Sequence, residues 1–332
     1  MGSNFGHFDS LKKYSRSDFL GLCSKIILGS GLASEVCRTS ILYSQEKSYL
    51  AGKTMLHRNI PRTNEPIPVI GLGTWQTFDV ASSPGALAPL NEVISEFLRF
   101  GGKVLDSSPM YGRAEEIVGL LSEKLDADQR NKLFLATKVW TRGEESGKKQ
   151  IEESFRKMKA QKIDLFQIHN LLDTDAHIPT LKSLKEAGRI RYIGLTHFTT
   201  AAFSEMERVA LRLKPDFIQI PYSILTRNAE DRILPFAQES GIAVLVNRPF
   251  EEGELFNLVK GKKLPDYFKE WDCETFAQAF LKYLISHPAV TCVLPATSKV
   301  QHLRDNIKGG FGKFPEGNQR KQFLNRLLSS VN

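Results

Sequence analysis

A regular alternation of two kinds of segment, from Leu56 onward, is the feature of this sequence that most constrains its fold. Short apolar runs rich in Val, Ile and Phe are separated by longer segments with helical spacing of apolar residues. This order predicts βαβ units and a parallel sheet. The strand candidates are residues 68–72, 103–106, 133–139, 163–169, 192–196, 217–220, 243–247 and 291–294. The helix candidates are residues 90–100, 114–124, 149–158, 178–187, 202–213, 229–240, 276–285 and 301–307.

Eight parallel strands, each followed by a helix, predict a single (β/α)8 TIM barrel, because closure of the sheet removes both of its edges. A doubly wound open sheet is the alternative. Its dinucleotide motif G-x-G-x-x-G is incomplete here, since Gly71 and Gly73 are followed by Gln76. Residues 251–272 show little periodicity, and we expect them to form an irregular loop over the barrel mouth, where this fold builds its active sites.

Residues 1–55 differ from the rest and form an N-terminal extension to a barrel domain of residues 56–332. The apolar stretch of residues 19–33 is interrupted by Lys25 and is too short and too polar to span a bilayer. With the basic residues before it, this stretch resembles a twin-arginine export signal in which Ser17 replaces the second arginine. We expect a plain extension and a cytoplasmic protein, with a degenerate export signal and a periplasmic location as the alternative.

Composition excludes some classes of partner. The formal net charge is +8, but basic and acidic residues are interleaved, and no basic stripe with aromatic residues indicates a nucleic-acid partner. The four cysteines lack the paired spacing of a zinc site, so we expect neither a metal nor a disulfide framework. They are Cys23, Cys37, Cys273 and Cys292. Because no heptad or exposed apolar stripe stands out, we expect a monomer.

Four polar residues stand at or near the carboxyl ends of consecutive strand candidates, which converge on one mouth in a barrel. They are Asp106, Tyr111, Lys138 and His169. Reduction of a carbonyl group needs an acid near the oxygen, and a tyrosine serves only if its pKa, ordinarily about 10, is lowered. A buried Lys138 ammonium would lower the pKa of Tyr111, and Asp106 would keep that lysine charged. His169 would orient the substrate oxygen or share the proton.

Each of these residues also has a structural explanation when it is taken alone. Asp106 would cap the next helix, and Lys138 would form an ion pair at the barrel end. Tyr111 would be a rim aromatic, and His169 would be a hydrogen-bonded core histidine. The occurrence of all four at one end of the barrel favours the chemical interpretation.

The segments that carry these residues resemble the three tetrad motifs of the aldo-keto reductase family. They are G-G-K-V-L-D-S-S-P-M-Y-G at residues 101–112, A-T-K-V-W at residues 136–140 and I-D-L-F-Q-I-H-N at residues 163–170. The likeness continues through residues 188–198, 217–223 and 290–299, and it covers nearly all of residues 60–308. The resemblance implies that Asp106, Tyr111, Lys138 and His169 are the catalytic tetrad, with Tyr111 as general acid.

The same resemblance implies a site for a nicotinamide cofactor, NADP rather than NAD. The implied cofactor residues are Gly73, Thr74, Trp75, Thr196, His197, Gln219, Asn247, Arg248, Phe250, Thr297, Ser298, Lys299, His302 and Asn306. The resemblance places the nicotinamide carboxamide against Thr196, His197 and Gln219. It places the adenosine end against the residues from Thr297 to Asn306, with Lys299 or His302 near a 2′-phosphate. Four positions depart from the family pattern. His197 stands where asparagine is common, Asn247 where an aromatic ring stacks on the nicotinamide, and Arg248 where a small serine is usual. Ala296 replaces a basic residue.

The sequence therefore predicts an NAD(P)H-dependent reductase of aldehydes or ketones. The alternative is a catalytically weak NADP(H)-binding sensor or regulatory subunit on the same fold, which the Asn247–Arg248 pair motivates. An apolar rim suited to a hydrophobic carbonyl compound is expected from Trp75, Phe78, Met110 and Trp140. Arg248 would either receive an anionic substrate group or pair with Glu251 or Glu252.

Overall fold

A parallel sheet of eight strands is the frame of the protein, whose computed structural model describes residues 54–331. The strands are β3 (Leu72–Gly73), β4 (Val104–Asp106), β5 (Phe134–Val139), β6 (Ile163–His169), β7 (Ile190–Thr196), β8 (Phe217–Pro221), β9 (Ala243–Asn247) and β10 (Val290–Val293). They neighbour one another in chain order. Parallel bridges from Ile70 to Val293 and from Gly73 to Ala296 join the first strand to the last. The sheet is thus closed, and the predicted (β/α)8 barrel is confirmed.

Helices follow the strands in the βα order that parallel connections require. They are α1 (Pro84–Arg99), α2 (Ala114–Ser122), α3 (Ala127–Lys132), α4 (Glu144–Lys157), α5 (Thr174–Glu186), α6 (Phe203–Leu213), α7 (Ile233–Glu239), α8 (Glu254–Leu258), α9 (Phe276–Ile285), α10 (Val300–Lys308) and α11 (Gly317–Val331). Local signals set several of their starts. Pro84 occupies the first turn of α1, and Asp126 and Gln129 form a capping box at α3.

A short antiparallel hairpin covers the amino ends of the barrel strands. It pairs β1 (His57–Asn59) with β2 (Pro66–Pro68). Ile60 and Ile67 of this hairpin are buried in one apolar cluster with Val104, Phe134 and Phe217, which lie at or next to the starts of their strands. The hairpin therefore closes one end of the barrel and leaves the carboxyl ends of the strands as the open mouth.

The structure corrects two predictions about local structure and adds two helices outside the predicted ones. The first strand is not residues 68–72, because Pro66–Pro68 pair with β1 and the barrel strand is Leu72–Gly73. Proline has no amide hydrogen to donate to a neighbouring strand, so it is found in edge strands. Pro66 and Pro68 therefore indicate an edge strand rather than a barrel strand. The loop of residues 251–272 holds α8 and two 3₁₀ turns, Glu251–Gly253 and Asp266–Trp271. Helices α3 and α11 were not predicted at all.

Several predictions concern residues outside the described part. The interpretations of the N-terminal extension, including the export signal, and of Cys23 and Cys37 fall on residues 1–53. The domain boundary, the monomeric state and the location of the protein stay predictions. Across residues 54–331, no helix is long and apolar enough to cross a membrane.

Candidate active site

A cavity of about 440 Å³ opens at the carboxyl ends of the strands. Residues at the ends of six strands line it, among them Asp106 on β4, His169 on β6, Thr196 on β7 and Gln219 on β8. Tyr111, from the loop after β4, also lines the cavity. The predicted convergence of the polar residues at one mouth therefore holds in the folded chain.

Asp106 and Lys138 form a buried ion pair beneath this cavity. In the parallel register Asp106 lies opposite Ala136, so Lys138, two residues further along β5, points to the same side of the sheet. The Lys138 Nζ donates to Asp106 Oδ2 and to the Ser107 carbonyl oxygen, each at 2.7 Å. Burial acts to lower the pKa of Lys138, but the Asp106 carboxylate and the Tyr111 hydroxyl outweigh it and raise the pKa above 10.5. Lys138 is therefore held charged, as expected.

Two glutamine side chains hold the second oxygen of the aspartate. The Nε2 atoms of Gln167 and Gln219 each donate to Asp106 Oδ1 at 3.0 Å, and Thr196 Oγ1 donates to Gln219 Oε1 at 3.1 Å. Both carboxylate oxygens of Asp106 are thus saturated. Gln167 was not identified from the sequence, although its position two residues before His169 on β6 gives it the same inward direction.

Tyr111 lies between the lysine and the histidine. The Lys138 Nζ is 4.8 Å from the centroid of the Tyr111 ring, and the ring meets His169 edge to face at a centroid distance of 6.1 Å. The turn that carries Tyr111 needs a left-handed residue next, and Gly112 supplies it with φ of 59°.

Burial raises the pKa of Tyr111 above 10, and the Lys138 ammonium offsets only part of that rise. The prediction that Lys138 brings the pKa of Tyr111 below its ordinary value was therefore wrong for the net shift. The phenol is protonated throughout the neutral range.

His169 is a neutral imidazole in this site. Burial, followed by the charges of Lys138 and His197, lowers its pKa to about 3. Its Nδ1 lies 3.1 Å from the Oγ of Ser108, a buried residue that the sequence interpretation did not single out. His169 therefore takes part in hydrogen bonds at neutral pH but carries no charge.

Most residues predicted for the cofactor site, other than those of the adenosine end, line the cavity. They are Gly73, Thr74, Trp75, Thr196, Gln219, Asn247, Arg248 and Phe250. His197 does not line it, because its ring stacks on Phe198 at 5.5 Å and its Nδ1 accepts from the Thr199 amide at 3.1 Å. The Nδ2 of Asn247 donates to the His197 carbonyl oxygen at 3.3 Å, and its buried Oδ1 has no partner within residues 54–331.

The residues predicted for the adenosine end lie beside the cavity rather than in its wall. They are Thr297, Ser298, Lys299, His302 and Asn306, at the start of α10 and within it. Thr297 and Asn306 are buried, and Thr297 Oγ1 accepts from the Lys299 amide at 3.1 Å. Among residues 54–331 no side chain caps the first turn of α10, so the amides of this turn present a partial positive charge.

Arg248 pairs with acidic neighbours on the same loop. Its Nη1 lies 3.2 Å from Glu252 Oε1, and its Nη2 lies 3.8 Å from Glu251 Oε2. The Ser223 hydroxyl donates to the other oxygen of Glu251, which fixes that carboxylate. Of the two roles predicted for Arg248, the structure shows the pairing with Glu251 and Glu252.

The outer part of the site is apolar. Trp75, Met110, Trp140, Phe198 and Phe256 are large side chains with exposed fractions between 36% and 48%. Phe78, which was predicted to join this rim, is instead fully buried. A ligand with an apolar body therefore meets aromatic surface before it reaches Tyr111 and His169.

Comparison with known proteins was made with this geometry in hand. Residues 69–316 match the sequence model of the aldo/keto reductase family. The chain is 28% identical over 233 residues to the aldo-keto reductase YhdN of Bacillus subtilis (strain 168), covering 66% of this chain and 68% of that protein. It is 25% identical over 248 residues to the methylglyoxal reductase YeaE of Escherichia coli (strain K12), covering 72% of this chain and 84% of the relative.

Solved structures share the fold. The aldo-keto reductase AKR11C1 from Bacillus halodurans, in its holo form, superposes with a TM-score of 0.66 at 23% identity, over 82% of this chain and 96% of that one. An aldo/keto reductase from Klebsiella pneumoniae in complex with NADP and acetate superposes with a TM-score of 0.63 at 24% identity. The superposition covers 80% of this chain and 92% of that one.

Proposed function

Because the chain belongs to the aldo/keto reductase family, we propose that it is an NADP-dependent oxidoreductase that reduces an aldehyde or ketone, with Tyr111 as general acid. One arrangement carries this proposal. The charged Lys138 is paired with Asp106 at 2.7 Å and faces the ring of Tyr111. The protonated Tyr111 lies edge to face with the neutral His169. Tyr111 and His169 line the cavity, with Lys138 buried beneath them, and a carbonyl oxygen would be bound between the two lining side chains.

The proton path follows from the protonation states. Tyr111 holds its proton at neutral pH and donates it to the carbonyl oxygen as negative charge develops there. The phenolate left behind is stabilised by the Lys138 ammonium, which Asp106 keeps charged and in place. His169 is uncharged, so its contribution is a hydrogen bond to the same oxygen.

The wall of the cavity fits a nicotinamide. The unpartnered Oδ1 of Asn247 is a buried acceptor that a carboxamide N–H would satisfy, and Gln219 and Thr196 are amide and hydroxyl groups beside it. NADPH, when bound, supplies the hydride for the carbonyl carbon. A phosphate group fits the uncapped first turn of α10, where Lys299 stands at the N-cap and His302 follows within the first turn. This basic pair supports NADP over NAD.

The apolar rim supports a carbonyl substrate with a hydrophobic body. One relative is named a methylglyoxal reductase, and methylglyoxal is a small ketoaldehyde. The exposed aromatic side chains of this chain add surface that such a small compound would not fill. We therefore propose that larger aryl or alkyl aldehydes are better substrates here.

The test is NADPH oxidation by the full chain with methylglyoxal, an aryl aldehyde and an aliphatic ketone. We expect turnover that falls by about 10²–10⁴-fold in Tyr111→Phe, which keeps the ring and removes the donated proton. NADPH affinity, measured by quenching of tryptophan fluorescence, should be nearly unchanged in that variant. Turnover that survives Tyr111→Phe would exclude Tyr111 as the acid.

A binding protein with little turnover is the second candidate function. It is favoured by one feature of the sequence. Asn247 stands at the position where the family pattern has an aromatic ring that stacks on the nicotinamide, so this stacking contact is absent. Tight NADPH binding with no turnover on any carbonyl compound in the panel would support this sensor role. Absence of binding to NADPH and NADH alike would contradict both functions.

A further inference from the structure

Ser108 lies behind the imidazole of His169. The serine is fully buried and does not line the cavity, whereas the histidine does. The Ser108 Oγ is 3.1 Å from Nδ1, and no side chain or backbone group within residues 54–331 forms a hydrogen bond with Nε2. The Nε2 atom is therefore the ring nitrogen left for a ligand in the cavity.

The hydrogen bonds around Ser108 decide where its own hydrogen goes. The Met110 amide donates to Ser108 Oγ at 3.4 Å, which uses the oxygen as an acceptor. In the described part of the chain, Nδ1 of His169 is the acceptor within reach of the hydroxyl hydrogen. A neutral imidazole has one protonated and one bare nitrogen, so a hydroxyl that donates to Nδ1 leaves the ring hydrogen on Nε2.

We propose that Ser108 is a positioning residue that fixes His169 as the Nε2–H tautomer, so that His169 and Tyr111 both donate to the carbonyl oxygen. The inference rests on the proposed function, since the oxygen that receives both hydrogen bonds is that of the carbonyl substrate. The opposite tautomer would present a lone pair to this oxygen and compete for the Tyr111 hydroxyl hydrogen. The Nδ1–H tautomer would thus leave the negative charge that develops on the carbonyl oxygen with one hydrogen-bond donor fewer.

The same residue also orients the acid. The Ser108 carbonyl oxygen accepts from the Tyr111 amide at 3.0 Å, which closes the turn that brings the tyrosine over the cavity. The backbone of Ser108 thus orients Tyr111, whereas its side chain orients His169. A substitution that removes only the hydroxyl separates these roles, because Ser108→Ala keeps the backbone contact.

The tautomer is measured directly by NMR on the full chain labelled with 15N in histidine. The ring signals of His169 are identified by their loss in His169→Gln. Protonated and bare ring nitrogens have well-separated 15N shifts, and we expect a bare Nδ1 and a protonated Nε2 in the wild type. Ser108→Ala should move the signals toward a mixture of tautomers and lower kcat about three- to tenfold, with KM for the carbonyl compound changing less.

Ser107→Ala is the matched control, because Ser107 is equally buried but its Oγ accepts from the Thr74 hydroxyl and forms no hydrogen bond with His169 in the described part of the chain. This variant should leave the His169 signals unchanged. A protonated Nδ1 in the wild type, or unchanged His169 signals in Ser108→Ala that melts at the wild-type temperature, overturns the inference. Because the labelling experiment needs no turnover, a chain that lacks reductase activity but shows the bare Nδ1 refutes the proposed function alone.

Discussion

The Nζ of Lys138 lies 2.7 Å from Oδ2 of Asp106, and both side chains are buried at the bottom of the barrel mouth. Removing one member of such a pair leaves an uncompensated charge in a region of low dielectric constant, which costs about 3–5 kcal/mol. Lys138 therefore has two separable roles. It neutralises Asp106 for folding, and in the proposed reaction it stabilises the Tyr111 phenolate.

The first prediction separates these roles with two variants. Lys138→Met should lower the free energy of unfolding by about 3–5 kcal/mol and reduce kcat by at least about 10²-fold. The double variant that adds Asp106→Asn removes the lone charge and should recover much of the stability but none of the rate. Urea unfolding and NADPH-dependent turnover measure the two quantities. Recovery of the rate in the double variant would mean that Lys138 acts only through stability.

The second prediction concerns the pH dependence of the two reaction directions. Burial raises the pKa of Tyr111 above 10, so the phenol is protonated below that pH and the acid form is present across the neutral range. Reduction should therefore keep a level kcat/KM from about pH 6 to pH 9. Oxidation of the alcohol needs the phenolate, and its rate should climb through the same range. A fall in reduction with an apparent pKa near 7 contradicts the assignment.

How much of this site is predictable from sequence depends on which contacts place each residue. Asp106, Lys138 and His169 were found because each lies at the carboxyl end of a strand, and strands follow from apolar periodicity. Gln167 was missed because its role depends on the direction of one side chain toward Asp106. Ser108 was missed because only the folded turn brings its hydroxyl to His169.

The fold shows the same division. Seven of the eight barrel strands and most helices follow from periodicity that a sequence displays. The hairpin formed by β1 and β2 does not, because both strands are only three residues long and β2 contains two prolines. The net pKa shift of Tyr111 could not be predicted from the sequence either. It depends on how deeply the ring is buried, which only the folded structure determines. Tertiary contacts decide what local patterns leave open.

The third prediction tests the ion pairs of Arg248. Glu252 lines the cavity and lies 3.2 Å from the guanidinium, so its charge competes with any phosphate for the arginine. Glu252→Gln should tighten NADPH binding about two- to fivefold, because a partly exposed charge of this kind contributes about 0.5–1 kcal/mol. The gain should shrink as salt is added.

Glu254→Gln provides the control for this measurement. It removes the same charge two residues away, and Glu254 is exposed like Glu252 but does not line the cavity and forms no ion pair with Arg248. Tryptophan quenching by NADPH should give equal dissociation constants for this variant and the wild type. Equal tightening in both variants would assign the effect to net charge rather than to the release of Arg248.

The fourth prediction concerns Glu115, a buried carboxyl on the outer side of the barrel wall. Its Oε1 accepts from the Thr137 hydroxyl at 2.6 Å, and its Oε2 has no hydrogen-bond partner among residues 54–331. Burial raises the pKa of Glu115 above its ordinary value of 4.5. The folded chain therefore binds this proton more tightly than the unfolded chain does.

The sign of the stability effect follows from linkage. A raised pKa in the folded state contributes stability that is full below about pH 4.5 and is lost as the pH rises through the folded-state pKa. Glu115→Gln keeps the shape without the charge, so it should exceed the wild type in unfolding free energy at pH 8, by on the order of 1 kcal/mol. This difference should close toward pH 5. Glu116→Gln is the control, since Arg113 lowers the pKa of Glu116 and its effect should have the opposite sign. Parallel pH profiles for wild type and Glu115→Gln would mean that the carboxyl titrates as it does in the unfolded chain.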